Sequence, residues 1–157
     1  MKLDKLDIKI LAALQQDGRM TKTRLGELVG LSPSPCHERI KRLEAAGYIR
    51  GYHAEIDVDR LVRPTLILVE IVLRTHDAAD FERFSRFVAD VPEVLECYQT
   101  SGAVDFILKV ITRDLAAYQA LMDRLLDANV GIGRYTTCVV TKQVKKNGAY
   151  PLDLLLG

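Results

Sequence analysis

The sequence predicts an α+β chain built as two units, and two periodicities predict it. Up to about residue 50, apolar residues recur at helical spacing; beyond about residue 64, strand and helix patterns alternate in the order strand, helix, strand, strand, helix, strand. The first pattern is that of a winged helix-turn-helix and the second that of a ferredoxin-like βαββαβ domain. The expected division is residues 1–60 and residues 61–157.

In the first unit, Leu3, Leu6, Ile10, Leu11 and Leu14 place an apolar stripe on one helix, which closes at "QQDGR" with Gly18 past its end. Thr21 caps a short second helix carrying Leu25 and Leu28. It stops at Gly30, in the turn "VGLS", where a positive φ is needed. Gly26 is small where two helices would cross closely. Ser32 is expected to cap a third helix with Pro33 at its first position, where a missing N–H costs nothing. That helix runs to Ala45-Ala46-Gly47, and "YIRGYHAEID" beyond it alternates loosely, as a strand or wing would.

In the second unit, "TLILVEIVLRT" reads as a first strand and "DAADFERFSRFVADV" as a helix with Phe81, Phe84, Val88 and Val91 on one stripe. "VLECYQT" and "VDFILKVIT" are strands joined by the turn Ser101-Gly102-Ala103. "DLAAYQALMDRLLDA" is a helix carrying Leu115, Tyr118, Leu121, Met122 and Leu125, and "YTTCVVTKQVKK" is the last strand. Two helices cover one face of such a sheet, and the other face is normally polar. Here Leu66, Leu68 and Val72 alternate with Ile67, Val69, Ile71 and Leu73, so both faces of the first strand are apolar. The second face is therefore expected to pack on another subunit, giving a homodimer.

Hydrophobic residues at 48% and charged residues at 27% are the mixture of a folded globular chain. Net charge is only +1, but between Arg19 and His53 seven cations stand against three anions, a surplus that suits a polyanionic partner. "MKLDKLDIKI" carries acids among its apolar residues and does not read as a signal peptide. Runs such as "LILVEIVL" are far shorter than the ~20 residues a membrane helix needs. With three well-separated cysteines and no CxxC pair, a cytoplasmic setting with reduced thiols is expected.

Pro35-Cys36-His37 raises the question of chemistry: a reactive thiol with its base, half of a metal site, or a core position. At about 100° per residue, Cys36 shares a stripe with Ile40, Leu43 and Gly47, so the thiol is expected to point inward. His37 lies one position round the helix, out of hydrogen-bond reach, and no second Cys/His cluster would complete a zinc site. The opposite face carries Ser34, Glu38, Lys41 and Ala45, flanked by His37 and Arg42. Donors and cations there fit insertion into a major groove; a merely solvated amphipathic helix shows the same pattern.

"LSPSPCHERIKRLEAAGYIRGYHAEID" closely resembles the helix-turn-helix segment of the Lrp/AsnC (feast/famine) transcriptional regulators. "LDKLDIKILAALQQDGRMT" is similar to the family's first helix, matching at Leu3-Asp4, Asp7, Ile10-Leu11, Leu14-Gln15 and Asp17-Gly18-Arg19. The βαββαβ unit looks like the family's amino-acid-sensing domain. The resemblance implies a regulator of DNA, built from dimers that often assemble to octamers, whose grip alters when a small amino acid binds between dimers. It places the effector at the turn between the second and third strands and at the last strand. The family's Gly-Asp-aromatic-Asp turn reads Gly102-Ala103-Val104-Asp105 here, keeping the first and last residues; its Thr-x-Thr strand motif reads Tyr135-Thr136-Thr137, keeping Thr137. Asp105 would accept the effector's ammonium and turn N–H groups its carboxylate.

The expectation is thus a non-enzymatic regulator with no cofactor and no metal, binding double-stranded DNA and a small amino acid. Ser34, His37 and Glu38 would contact bases, and Lys41, Arg42 and Arg50 phosphate. Its competitors are an enzyme or metal sensor built on Cys36 and His37, and an architectural DNA-compacting protein with little sequence preference.

Overall fold

The structure, a computed structural model, describes residues 2–146 and 148–156. They form two compact units, each with its own core. The chain up to Glu55 packs with the segment from Val144 onward, and Ile56–Gln143 forms the second unit. The expected break at residue 60 thus lies at 55, and the last residues return to the first unit. What returns them is polar: Gln15 bonds both the N–H and the carbonyl of Tyr150, at 2.8 and 3.3 Å, and Lys146 meets Glu55 at 2.8 Å.

Three helices make the first unit: α1 (Lys5–Gln16), α2 (Lys22–Val29) and α3 (Pro33–Ala45). Ile10, Ala13, Leu25, Val29, Cys36, Ile40 and Leu43 form its core. Asp4 caps α1 through the N–H groups of Leu6 and Asp7, and the Asp7 carboxylate returns a bond to the Asp4 N–H, a reciprocal box satisfying otherwise orphaned donors. Thr21 caps α2 as expected, and Gly30 closes it with a left-handed φ of 75°. Gly26 is required by the turn rather than by a crossing helix: a Cβ there would stand 2.6 Å from the Leu31 carbonyl oxygen.

Three expectations for this unit fail in detail. Ser32 occupies the N-cap of α3, but its side chain makes no capping bond; Pro33 does stand at the start. Leu28 is exposed while Val29 turns inward, because α2 is too short for a wide apolar stripe. Residues 49–57 carry no strand, having no neighbouring strand to ladder with. The wing is instead held by Tyr52, whose hydroxyl donates to Glu44 Oε1 at 2.8 Å and whose ring lies over Gly18.

In the second unit a 3-10 turn (Val58–Arg60) precedes β1 (Thr65–Leu73), α4 (Ala78–Ala89), β2 (Val94–Gln99), β3 (Phe106–Thr112), α5 (Leu115–Asp127) and β4 (Ile132–Val139); α6 (Leu152–Leu156) closes the chain in the first unit. The antiparallel sheet has the order β2-β3-β1-β4. Its covered face contributes Ile67, Val69, Ile71, Leu73, Phe106, Leu108 and Val110, packed on Phe84 and Val88 of α4 and Tyr118, Leu121, Met122 and Leu125 of α5. Leu115, expected on that stripe, is exposed at the first turn of α5. The last strand begins three residues earlier than expected and ends at Val139. Gly131, at φ 90°, turns the chain into it, and Gly133 lets Arg74 approach where a Cβ would meet backbone at 3.1 Å. On the open face Leu68 is 39% exposed and Leu66 and Val72 are half-buried, as period-two reading expected.

Candidate DNA-reading helix and effector pocket

α3 divides its residues cleanly. Cys36 is fully buried with Ile40 and Leu43, and burial pushes its thiol pKa up, opposite to what a nucleophile needs. His37, half-buried on the next flank, places Nε2 3.3 Å from the Lys22 ammonium. Its Nδ1 is buried without a partner. Ser34, Glu38 and Lys41 stand exposed along the outer face, with Glu38 and Lys41 3.8 Å apart, and Arg50 is exposed beyond the helix. Lys22 and Arg24, exposed cations at the start of α2, belong to the cationic surplus between Arg19 and His53 but not to the expected contact residues. Lys22 reaches α3 through His37, a tertiary link that helical phase within α3 does not show.

Arg42 is placed differently from the rest of its set. Its Nη2 lies 3.0 and 3.1 Å from the two oxygens of Asp7, and Arg39 Nη1 lies 2.7 Å from Asp7 Oδ1 and 2.7 Å from Asp4 Oδ2. The Asp7 carboxylate is 1% exposed. Hydrogen bonds, first from the Asp7 N–H and then from Arg39, hold the Asp4 carboxyl below its usual value of 3.8. In sequence Asp7 appears only as part of a motif; its two arginines lie more than thirty residues away.

In the second unit the turn residues and the last strand do not converge within one chain. Asp105 is 9% exposed; its Oδ2 accepts from the Leu73 N–H at 2.7 Å and lies 3.2 Å from His76 Nε2. The Thr100 N–H donates to the Asp105 carbonyl at 2.9 Å, and the Thr100 hydroxyl bonds the Val104 carbonyl, closing the hairpin. Tyr135 pairs with Ile71, which pairs with Phe106, so the strand residue and the end of the turn are two strand spacings apart, about 10 Å. Tyr135 and Thr137 share the helix-covered face, where the Thr137 hydroxyl lies 2.5 Å from that of Tyr118. Thr136, opposite Glu70, lies on the open face. His76 and Tyr118, the latter expected only as a core residue of its helix, are the tertiary partners of this region.

Gly102 has open space around its Cα and no left-handed φ, so neither packing nor backbone conformation requires glycine there. Among the described residues no group of three or more His, Cys, Asp or Glu could hold a metal ion, and no helix is long and apolar enough to cross a membrane.

A helix-turn-helix unit whose exposed residues include Lys22, Arg24, Lys41 and Arg50, joined to an α+β unit, has the layout of a DNA-binding transcriptional regulator. Residues 3–50 match a winged helix-turn-helix DNA-binding model and residues 66–150 the Lrp/AsnC ligand binding domain, so the chain belongs to the Lrp/AsnC family. It is 48% identical to the transcriptional regulatory protein DoeX of Halomonas elongata over 149 residues, 95% of this chain and 94% of that one. An AsnC family transcriptional regulator from Agrobacterium tumefaciens matches with a TM-score of 0.89 at 36% identity, covering 98% of this chain and 99% of that one. A Neisseria meningitidis transcriptional regulator in complex with L-Met matches equally, with a TM-score of 0.89, 34% identity and the same coverage.

Proposed function

We propose that the chain works as a homodimer, or a larger assembly of dimers, that sets α3 of each half into successive major grooves and alters its grip when a small amino acid binds. The observation that carries this reading is the division of α3: a sealed core stripe behind an exposed row of polar and charged side chains. Ser34, His37 and Glu38 reach base edges, while Lys41 and Arg50 neutralise phosphate. The open sheet face, apolar at Leu66, Leu68 and Val72, takes the second copy.

The effector is a free amino acid, the class bound by the Neisseria relative. It lies between subunits, because the turn 102–105 and the strand segment 135–137 of one chain stand too far apart to enclose it. Asp105 receives the ammonium, and Gly102 gives the ligand room to approach the turn. Ala103, Val104 and Tyr135 shape the remaining wall, and Thr136 belongs to the face that meets the partner.

A thermal-shift screen of the free amino acids tests this. A ligand at one hundred times its Kd adds about 2.7 kcal/mol, so at least one amino acid should raise the melting temperature and change affinity for a specific duplex. An absence of response across the set, together with equal affinity for all duplexes at fixed salt, would point to an architectural DNA-compacting protein instead.

A further inference from the structure

We propose that Asp7 is a positioning residue for DNA reading: its buried carboxylate grips Arg39 and Arg42 and so sets the angle at which α3 presents Ser34, His37 and Glu38. The proposal rests on the DNA-reading assignment of α3 above, and it moves Arg42 from phosphate contact to this grip.

The geometry is that of a clamp. Arg39 and Arg42 stand three residues apart on one flank of α3 and converge on a single carboxylate of α1. That carboxylate accepts four bonds at 2.7 to 3.1 Å, from Arg39, twice from Arg42, and from the Asp4 N–H. Its lone pairs are spent, and water is excluded. Two acids, Asp4 and Asp7, face two arginines, so the cluster is neutral and adds little field toward a polyanion.

A buried ionic group seldom improves on a well-packed apolar one for stability; where such groups matter, they matter for orientation and register. Here the lever is short and sensitive. Ser34 lies five and eight residues from the clamped arginines, roughly 8–12 Å along the helix, so a tilt of about 10° would displace it by about 1–2 Å. Hydrogen bonds to base edges tolerate only about half an ångström. The apolar stripe of Cys36, Ile40 and Leu43 holds α3 against the core by contacts that carry no directional bond. A directional carboxylate–guanidinium pair resists such a tilt.

The test compares two duplexes of equal length, the one that the wild-type chain enriches most from a randomised pool and its scrambled counterpart. Asp7→Asn keeps the shape of the side chain and removes its charge. The expected result is a loss of about tenfold or more in affinity for the selected duplex, about one good base contact, while scrambled-duplex affinity does not fall, because removing one acid leaves the cluster one charge more positive. Arg42→Lys perturbs the fold less: it keeps the charge but replaces the planar Nη2 donor that spans both Asp7 oxygens with a rotating ammonium. The clamp predicts the same loss of discrimination for it, whereas a phosphate contact predicts nearly unaltered binding. An unchanged affinity ratio in both variants, or an Arg42→Ala salt slope lower by about one, would overturn the proposal. A wild-type chain binding both duplexes equally would refute the reading of α3 itself, and the clamp's role with it.

Discussion

Gly26→Ala is the most demanding substitution that the first unit offers, because its sign runs against helix propensity. In an open helix the change would stabilise by about 0.8–1 kcal/mol. Here the new methyl would lie 2.6 Å from the Leu31 carbonyl oxygen, inside the 3.0 Å that Cβ atoms respect, and the obstacle is backbone. The same turn is closed by the Leu31 N–H donating to the Gly26 carbonyl at 2.8 Å, a bond that any outward shift of Leu31 weakens. Overpacking costs about 1–3 kcal/mol and a weakened bond about 0.5–1.5, so the net is a destabilisation of about 2 kcal/mol. Urea unfolding followed by helical circular dichroism measures it. Gly102→Ala serves as the control: with open space and no left-handed φ it should leave stability unchanged while blunting the amino-acid response. If Gly26→Ala were as stable as the parent and bound DNA normally, the tight α2–α3 turn described above would be wrong.

Two further outcomes are expected. Burial and then the bond to Glu44 push the Tyr52 phenol up to about 12 from 10.0. The folded chain therefore keeps a proton that the unfolded chain has lost between those values, and stability should fall as pH rises through that window. Ultraviolet difference titration should show late tyrosines, Tyr52 and the buried Tyr118, of which Glu44→Gln moves only the Tyr52 step part of the way back toward 10; an unmoved titration would break the Tyr52–Glu44 link. Leu68→Lys puts a charge in the middle of the open sheet face and should leave the chain monomeric by sedimentation, whereas an intact dimer would place the subunit contact elsewhere.

The parts legible in the sequence are those set by local periodicity and backbone chemistry. Cys36, Ile40 and Leu43 share a stripe whatever α3 packs against, and Gly30 takes its left-handed φ because the turn is short. The alternation of β1 separated Ile67, Val69 and Ile71 from Leu66, Leu68 and Val72 for the same reason. What stayed hidden needs partners from far along the chain. The ion pairs that Arg39 and Arg42 make with Asp7 span more than thirty residues, and residues 49–57 read as a strand or wing until no neighbouring strand comes to pair with them. β4 starts before the expected Tyr135 because Gly131, at φ 90°, turns the chain into it and Gly133 lets Arg74 pass close by. The effector region is only half legible for a different reason. Its residues lie on separate strands and faces, and a second chain must bring them together.

Selection of duplexes from a randomised pool, followed by sequencing, tests the central claim most directly. The account predicts enrichment of a pseudo-palindrome with half-sites about one helical turn, ~34 Å, apart, lost when Ser34, His37 and Glu38 are together replaced by alanine. No enrichment by the wild-type chain, or the same enrichment by the triple variant, would contradict it.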